Sequence, residues 1–188
     1  MPNAPNDPFE AGLRIAQALE VYSISYALGG ALAYGIWGIP RATIDVDVNV
    51  FVKDTELPDV FRALESLGIE LDRKTAEQEH KARGMFVGRW GMYRIDVFTP
   101  SISFAWEAER TRVGKRVEGQ NVYFLSAEAL AVFKLLFFRN KDLVDLERLV
   151  AVQGERLDAA YVRRHIVSMM GEQDERVLRW DGLTRAAG

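Results

Sequence analysis

Two aspartates one residue apart, Asp45 and Asp47, lie inside a β-branched run that extends from Ile44 to Val52. Side chains alternate between the two faces of a β-strand, so both carboxylates are expected on the same face. At a separation of roughly 4–5 Å and an effective dielectric constant near 20, their repulsion would be on the order of 3–4 kcal/mol. A divalent cation between them would remove this penalty. The pair is therefore a candidate metal site.

A glycine pair, Gly29 and Gly30, precedes the aspartates and falls between a predicted strand and a predicted short helix. Glycine lets the backbone approach a phosphate closely, and the start of a helix presents free N–H groups to an anion. A tight turn that binds no ligand would explain the same pair. Between the helix and the aspartates, Arg41 could neutralise a phosphate and Thr43 could position a substrate or a neighbouring carboxylate, although both also fit as ordinary loop residues.

A third carboxylate, Asp96, lies in a predicted strand over residues 93–98, which a hairpin joins to a strand over residues 85–90. Its side chain points away from the face of Ile95 and Val97, and so towards solvent or into a polar site. Three carboxylates on neighbouring strands can hold two cations about 3.5–4 Å apart. The sequence therefore extends the candidate metal site to Asp96.

Lys134 lies between aromatic residues on the apolar face of a predicted helix that Ser126 caps. A lysine there either extends its ammonium to the surface or is held near a site that requires positive charge. In the next predicted helix, leucines and Val150 are expected to face inward. The charged residues are expected to face outward in solvent-exposed ion pairs, and they are Lys141, Asp142, Asp145 and Arg148.

The rest of the chain is predicted to form amphipathic helices and short strands, with one polar segment between them. Residues 72–83 are charge-mixed and are expected to form a loop with a partial helix, in which His80 is solvated. Four cations around Gly114 form the most concentrated basic run. This run, interpreted as a solvated face or as a contact for a phosphate backbone, consists of Arg110, Arg112, Lys115 and Arg116. The remaining predicted elements are helices from Pro8 to Glu20, 31–37, 57–67, 157–170 and 172–180, and strands over 23–28, 44–52, 69–71 and 121–125.

The length and composition indicate one domain with a packed core, or one such domain with a helical appendage. The chain has 188 residues, of which 48% are hydrophobic, and a formal net charge of -3, which argues against coating nucleic acid with the whole surface. It contains no cysteine, which excludes disulfides, thiolate metal sites and cysteine nucleophiles. A polar, proline-containing start and the lack of a long apolar stretch predict a cytoplasmic protein.

The order of these motifs resembles the nucleotidyltransferase superfamily that includes DNA polymerase β. Its signature is a glycine pair, a short helix and Asp-x-Asp on a strand, with a later strand carboxylate; fourteen residues, 31 to 44, separate the two motifs here, slightly more than in the commonest version. The resemblance covers about Tyr26 to Leu149. Further features resemble the AbiEii-type branch, which includes toxins of toxin–antitoxin systems, and they are Arg41-x-Thr43-x-Asp45-x-Asp47 and Lys134 followed by Arg139-x-Lys141-Asp142-x-x-Asp145.

The resemblance implies magnesium-dependent transfer of a nucleoside monophosphate from a nucleoside triphosphate to an acceptor hydroxyl, an activity of the EC 2.7.7 type. It implies that Asp45 and Asp47 bind two magnesium ions, and that Asp96 completes the metal site and helps to activate the acceptor. The residues implied for nucleotide binding are Gly29, Gly30, Arg41, Thr43, Lys134 and Asp142 or Asp145, with the choice between the last two left open.

The acceptor stays open at this stage. One hypothesis is a tRNA end held by the basic run, in a toxin with a cognate antitoxin. A small hydroxylated molecule of the antibiotic type and a protein side chain are alternatives, as is a non-catalytic nucleotide-binding module with the same fold. The expected fold is α+β, with a small mixed β-sheet flanked by helices over residues 1–125 and a C-terminal helical subdomain over 126–188; a single compact domain that contains both parts is the alternative.

Overall fold

The computed structural model describes the backbone of residues 4–187 and the side chains of residues 4–185. Within that range the chain alternates helices and short strands before it ends in a run of helices. Two short 3₁₀ turns occur at Asp54–Glu56 and Gly154–Arg156. In chain order the elements are α1 (Pro8–Val21), β1 (Tyr26–Leu28), α2 (Gly30–Trp37), β2 (Asp45–Val50), α3 (Leu57–Ser66), α4 (Arg73–Arg83), β3 (Met85–Trp90), β4 (Tyr93–Phe98), α5 (Phe104–Arg110), β5 (Val113–Val117), β6 (Gln120–Phe124), α6 (Ala127–Phe137), α7 (Asn140–Gln153), α8 (Ala159–Met170) and α9 (Glu175–Ala187).

The strands of the described chain form one mixed, six-stranded sheet in the order β3-β4-β2-β1-β6-β5. Strands β2 and β4 are parallel neighbours, and their register places Asp47 beside Asp96 and Asp45 beside Arg94. The intervening residues Val46 and Val48 point to the other face and are fully buried. The alternation of apolar and acidic residues in β2 therefore fixes which face of the sheet carries the carboxylates, and the predicted α+β fold is confirmed.

Helices cover this sheet and join its core to the C-terminal part of the chain. Helix α1 packs on β1, β2 and β6, whereas α2 packs on β2 and contacts both α6 and α7. The indole N–H of Trp37 donates to the carbonyl of Leu125 at 2.7 Å, which ties the end of α2 to the chain just before α6. One apolar core runs through both parts. The division into residues 1–125 and 126–188 stays a prediction.

Residues Arg73–Arg83 form a complete helix, α4, so the prediction of a loop with only a partial helix over residues 72–83 was wrong. The helix has only one buried residue, Ala76, and therefore lacks the apolar stripe that identifies a helix in sequence. Its ends define it instead: the Asp72 carboxylate accepts from the Thr75 N–H, and Gly84 closes it with a φ of 65°. His80 is not solvated as expected, because its ring lies within 2.8 Å of the Thr99 hydroxyl and 3.1 Å of Asp54.

The other departures are local. The predicted strands over 23–28 and 44–52 are shorter in the structure, and the predicted short strand at residues 69–71 is reduced to one bridge between Glu70 and Arg89. Two of the four cations of the basic run, Lys115 and Arg116, lie in the edge strand β5. No helix in the described part of the chain is long and apolar enough to cross a membrane.

Candidate active site

A cavity of about 340 Å³ opens on the carboxylate face of the sheet, below α6 and the start of α7. Most of the residues singled out from the sequence line it. Gly29 and Asp145 are absent from its lining, and they lie directly behind residues that do line it. The predicted site residues that the cavity brings together are Gly30, Arg41, Thr43, Asp45, Asp47, Asp96, Lys134 and Asp142.

Gly30 makes room for the central carboxylate. Its φ is +47°, and a Cβ atom built there would lie 1.8 Å from an Asp47 carboxylate oxygen. The neighbouring Gly29 donates its N–H to the Asp47 carbonyl at 2.8 Å, which fastens the start of α2 to β2. No side chain caps α2, so its first N–H groups remain available at the cavity wall. The glycine pair therefore packs a helix start against a carboxylate.

Asp45, Asp47 and Asp96, here called the carboxylate cluster, carry poorly compensated negative charge. Burial at the base of the cavity, followed by the negative charges of Asp96 and Asp45, raises the pKa of Asp47 to about 6. Burial also raises the pKa of Asp96. Two units of pKa correspond to roughly 2–3 kcal/mol between the protonated and charged forms. The cluster is therefore held in an environment that favours a cation or a proton.

Asp96 is turned towards a cation of the protein itself. The Arg94 guanidinium donates from Nε to an Asp96 carboxylate oxygen at 2.8 Å, and this ion pair opposes the effect of burial on the pKa of Asp96. Among the side chains that the structure describes, no three carboxylates or histidines are grouped as a ready-made metal site. The cluster nevertheless supplies oxygen donors suited to a hard divalent cation. The carboxylates therefore have the ligand type that magnesium prefers and lie on neighbouring strands. In this structure one of them, Asp96, is paired with Arg94.

A second set of charges, here called the ion-pair network, is arranged around the buried Lys134 and contributes four of its five members to the cavity lining. The Lys134 ammonium is 2.6 Å from an Asp145 oxygen and 3.6 Å from an Asp142 oxygen. The Asp145 carboxylate also accepts from Arg41 at 3.2 Å. Arg139 donates to both oxygens of Asp142, at 2.6 and 3.2 Å. The network therefore balances cations and acids in direct contact, and its members are Arg41, Lys134, Arg139, Asp142 and Asp145.

This network overturns the expectation that Asp142 and Asp145 face outward. Both are 2% exposed, whereas Lys141 and Arg148 on the same helix are exposed as predicted. Buried carboxylates are stable only when paired, and Lys134 and Arg41 supply their partners from distant parts of the chain. Of the two acids left open by the sequence, Asp142 lines the cavity and Asp145 lies behind it.

Thr43 positions the start of β2 through the backbone. Its hydroxyl donates to the Asp45 carbonyl and accepts from the Asp45 N–H, both at 3.1 Å. The hydroxyl thus forms a local turn that precedes the first carboxylate. It does not contact the carboxylate side chain, which was one of the two roles considered from the sequence.

Four polar or charged residues that line the cavity were assigned no role at the site from the sequence. Arg94 precedes Asp96 by two residues and Asn49 follows Asp47 by two, so the strand period alone places them on the carboxylate face. Arg139 and Lys141 belong to the motif that begins at Lys134, and their charges were a sequence signal for phosphate binding. The cavity wall thus carries five cationic and four acidic residues, the cations being Arg41, Arg94, Lys134, Arg139 and Lys141.

The basic run lies away from this cavity and is partly neutralised. Arg110 pairs with Glu107 at 2.8 Å and Arg112 pairs with Glu109 at 3.5 Å. None of its four members is among the cavity residues. Strand β5 lies at the far edge of the sheet, with β1 and β6 between it and the carboxylate strands.

Neither a protein-family model nor a curated protein sequence matches the chain. Solved structures do match it. The antibiotic-resistance factor ANT(2'')-Ia superposes with a TM-score of 0.57 at 16% identity over 93% of both chains. The lincomycin-bound lincosamide antibiotic adenylyltransferase LnuA gives 0.53 at 14% identity over 80% of this chain and 99% of that one. A putative nucleotidyltransferase from H. pylori gives 0.50 at 15% identity over 96% and 92%. At these identities the likeness shows the fold, and the chain has the fold of these nucleotidyltransferases.

Proposed function

We propose that this protein transfers a nucleoside monophosphate from a nucleoside triphosphate to an acceptor hydroxyl and releases pyrophosphate. The observation that carries the proposal is the carboxylate cluster, which lies against the uncapped start of α2 in a cavity with five cationic residues. A site that gathers three carboxylates with a single cationic partner, Arg94, in contact is costly to maintain, whereas phosphoryl transfer needs carboxylates as ligands of a metal. The shared fold agrees with this reading.

Two groups of residues would have separate roles, one in binding metal and the other in binding phosphate. Asp45 and Asp47 would hold magnesium, and Asp96 would join them once it leaves Arg94. When bound, magnesium would neutralise charge on the phosphates and orient the α-phosphate. The N–H groups at Gly30 and the cations Arg41 and Lys141 would bind the phosphate oxygens.

The chemical step conserves atoms and charge within these groups. The acceptor hydroxyl oxygen forms a bond to the α-phosphorus as the bond from that phosphorus to the bridging oxygen of the β-phosphate breaks. The hydroxyl proton passes to Asp96, the carboxylate on the strand beside β2. Pyrophosphate leaves with the electron pair of the broken bond. The protein contributes positioning and charge stabilisation.

For the acceptor, the favoured class is a small hydroxylated molecule. The fold neighbours ANT(2'')-Ia, solved also with adenylyl-2''-tobramycin, and LnuA, solved with lincomycin, act on small antibiotics. The carboxylate pairs of Arg110 and Arg112 weaken the case for a nucleic-acid surface.

An AbiEii-type toxin acting on tRNA, with a cognate antitoxin, is the second candidate. Lys115 and Arg116 favour it, because neither forms an ion pair with a carboxylate of the described residues. The Lys115 ammonium instead lies 4.8 Å from the centre of the Trp37 ring. These two cations could contact phosphates of an RNA strand that approaches the cavity past the end of α2.

The test measures pyrophosphate release and transfer of label from each nucleoside triphosphate, with magnesium, to small hydroxylated compounds and to bulk tRNA. Asp45→Ala should reduce transfer by roughly 10²–10³-fold or more, because it removes one of the carboxylates proposed to hold magnesium. Asp59→Ala, which removes a carboxylate exposed on α3, is the matched control and should retain activity. Absence of transfer to every acceptor, with no magnesium-dependent nucleotide binding, would overturn the proposal in favour of a non-catalytic module.

A further inference from the structure

A second cavity of about 550 Å³ adjoins the carboxylate cavity. The two share a wall of residues from the sheet and from α6, so they form one cleft with a charged end and an apolar end. The shared residues are Asn49, Met85, Phe98, Phe133 and Phe137.

Strand register explains this change of character along the cleft. Asp96 and Phe98 lie two residues apart on the same face of β4, and Met85 of β3 is the register partner of Phe98. Two residues along a strand span roughly 6–7 Å. A small molecule seated on Phe98 and Met85 can therefore bring a hydroxyl group to the Asp96 carboxylate without leaving the apolar end.

The apolar end has almost no charge of its own. Arg83 is the only charged residue among the described residues that line it, and its guanidinium is paired with Glu79. A polycationic acceptor would need carboxylates there, and a phosphodiester chain would need free cations. Neither a polycationic acceptor nor a phosphodiester chain therefore fits the apolar end.

The lining also suits a bulky apolar group of variable shape. Met169 and Met170 close the cavity from the end of α8, and methionine side chains adapt to irregular apolar ligands. The rings of Phe98 and Phe137 contact each other at a tilt of 57° with their centres 5.8 Å apart, and Phe137 remains 46% exposed. These side chains offer aromatic and thioether contacts to a ligand, and Arg139 lies over the Phe137 ring at 4.8 Å.

We propose that the apolar end of the cleft is the acceptor site, and that the acceptor is a neutral small molecule with an apolar ring or alkyl body and one hydroxyl group directed at Asp96. This inference rests on the proposed nucleotidyl transfer and specifies its substrate class. A nucleobase is the competing occupant. The phosphate-binding candidates Gly30, Arg41 and Lys141 line only the charged end, which leaves the apolar end free beside a bound triphosphate.

The methionines provide the test. The chain has five, of which Met85, Met169 and Met170 line the apolar end and Met92 lies 72% exposed in the β3–β4 hairpin. With ¹³C-methyl methionine and 2-(2-naphthyl)ethanol as the probe, in the absence of nucleotide and metal, NMR should show shifts of the three lining methyls and none at Met92. Absence of these shifts at millimolar probe would overturn the assignment.

Variants on the wall test where the probe binds. Ile102 lines only the apolar end and is 38% exposed, so Ile102→Asp should fold and should weaken the probe at least fivefold. Val21→Asp, on an exposed position of α1, is the matched control and should bind the probe as the wild type does. Equal binding by both variants would overturn the assignment.

Competition and turnover separate this inference from the proposed function. If a non-hydrolysable nucleoside triphosphate with magnesium displaces the probe from Met169 and Met170, the cavity is a nucleobase site and the inference fails while transfer stands. Transfer to tRNA that Ile102→Asp leaves intact would also overturn only the inference. Bound probe that becomes labelled at its hydroxyl, with labelling reduced in Ile102→Asp, would support both.

Discussion

The carboxylate cluster and the ion-pair network line one cavity and differ in how their charges are balanced. In the network, every acid contacts a cation, and Asp142 and Asp145 are almost fully buried. In the cluster, burial and like charge raise the pKa of Asp47, and only Asp96 has a cationic partner in contact. The comparison teaches that the network acts as structure, whereas the cluster is poised for a ligand.

Breaking the network should have the largest effect on stability. In Asp145→Ala, Lys134 would keep only the 3.6 Å contact with Asp142, and Arg41 would lose its acid. Removing one partner of a buried ion pair costs about 3–5 kcal/mol. We expect a loss of that size in the free energy of unfolding, measured by urea denaturation.

The control for this variant is Glu147→Ala. Glu147 lies on the same helix and pairs with Arg179 at the surface, where ion pairs contribute about 1 kcal/mol or less. Equal losses in the two variants would show that burial of the network does not determine its contribution.

Neutralising a carboxylate of the cluster should instead raise the free energy of unfolding. The pKa of Asp47 is about 6 in the folded protein and 3.8 as its ordinary value, so the folded state binds more protons between these values and loses stability as the pH rises through them. Asp47→Asn should therefore stabilise the metal-free protein above pH 6, by on the order of 2 kcal/mol or several degrees in Tm. The gain should vanish near pH 4.

Thermal unfolding in EDTA at pH 7.5 and pH 4 checks this expectation, with Asp59→Asn as an exposed control. A lower Tm of Asp47→Asn at pH 7.5 would mean that the carboxylate is already compensated in the folded state. The same variant should lose nucleotidyl transfer, so stability and activity would move in opposite directions, as is typical of a functional site.

The carboxylate cluster contains one ion pair, between Arg94 and Asp96, and in this respect it resembles the ion-pair network. Arg94 is 44% exposed, so its contact with Asp96 contributes about 1 kcal/mol or less. Arg94→Gln would free Asp96 from this competing cation, and we expect manganese or magnesium to bind up to about fivefold more tightly in calorimetric titration. Weaker binding would instead indicate that Arg94 orients Asp96 for the metal.

The sequence predicted the cluster better than the network for a physical reason. Strand alternation predicts that Asp45 and Asp47 share one face and that Asp96 points away from Ile95 and Val97, and the observed parallel register of β2 and β4 puts Asp47 beside Asp96. The network depends on contacts between residues far apart in the chain: Arg41 and Asp145 are separated by 104 positions. Helical periodicity cannot distinguish an acid that faces water from one that meets a buried cation.

The same limit explains the errors in secondary structure. Helix α4 is stabilised by its caps at Asp72 and Gly84, and it lacks the apolar stripe by which a helix is detected. Strand β5 carries charged residues because it lies at the sheet edge, so its sequence resembles a solvated segment. The roles of the predicted site residues in catalysis stay predictions, since position in a cavity does not measure turnover.

The smallest expected effect tests whether the burial of a residue in the network determines how much it contributes to the free energy of unfolding. Arg139 contacts both oxygens of Asp142, but its side chain is 54% exposed, unlike that of Lys134. Arg139→Lys keeps the charge and loses the paired hydrogen bonds, so the free energy of unfolding in urea should fall by about 1 kcal/mol or less. A loss as large as that of Asp145→Ala would mean that Asp142 depends on Arg139 more than on the buried Lys134. In that case the rim of the network, which faces the cavity, would be its structural centre, and binding of phosphate to Arg139 would destabilise the wall that positions it.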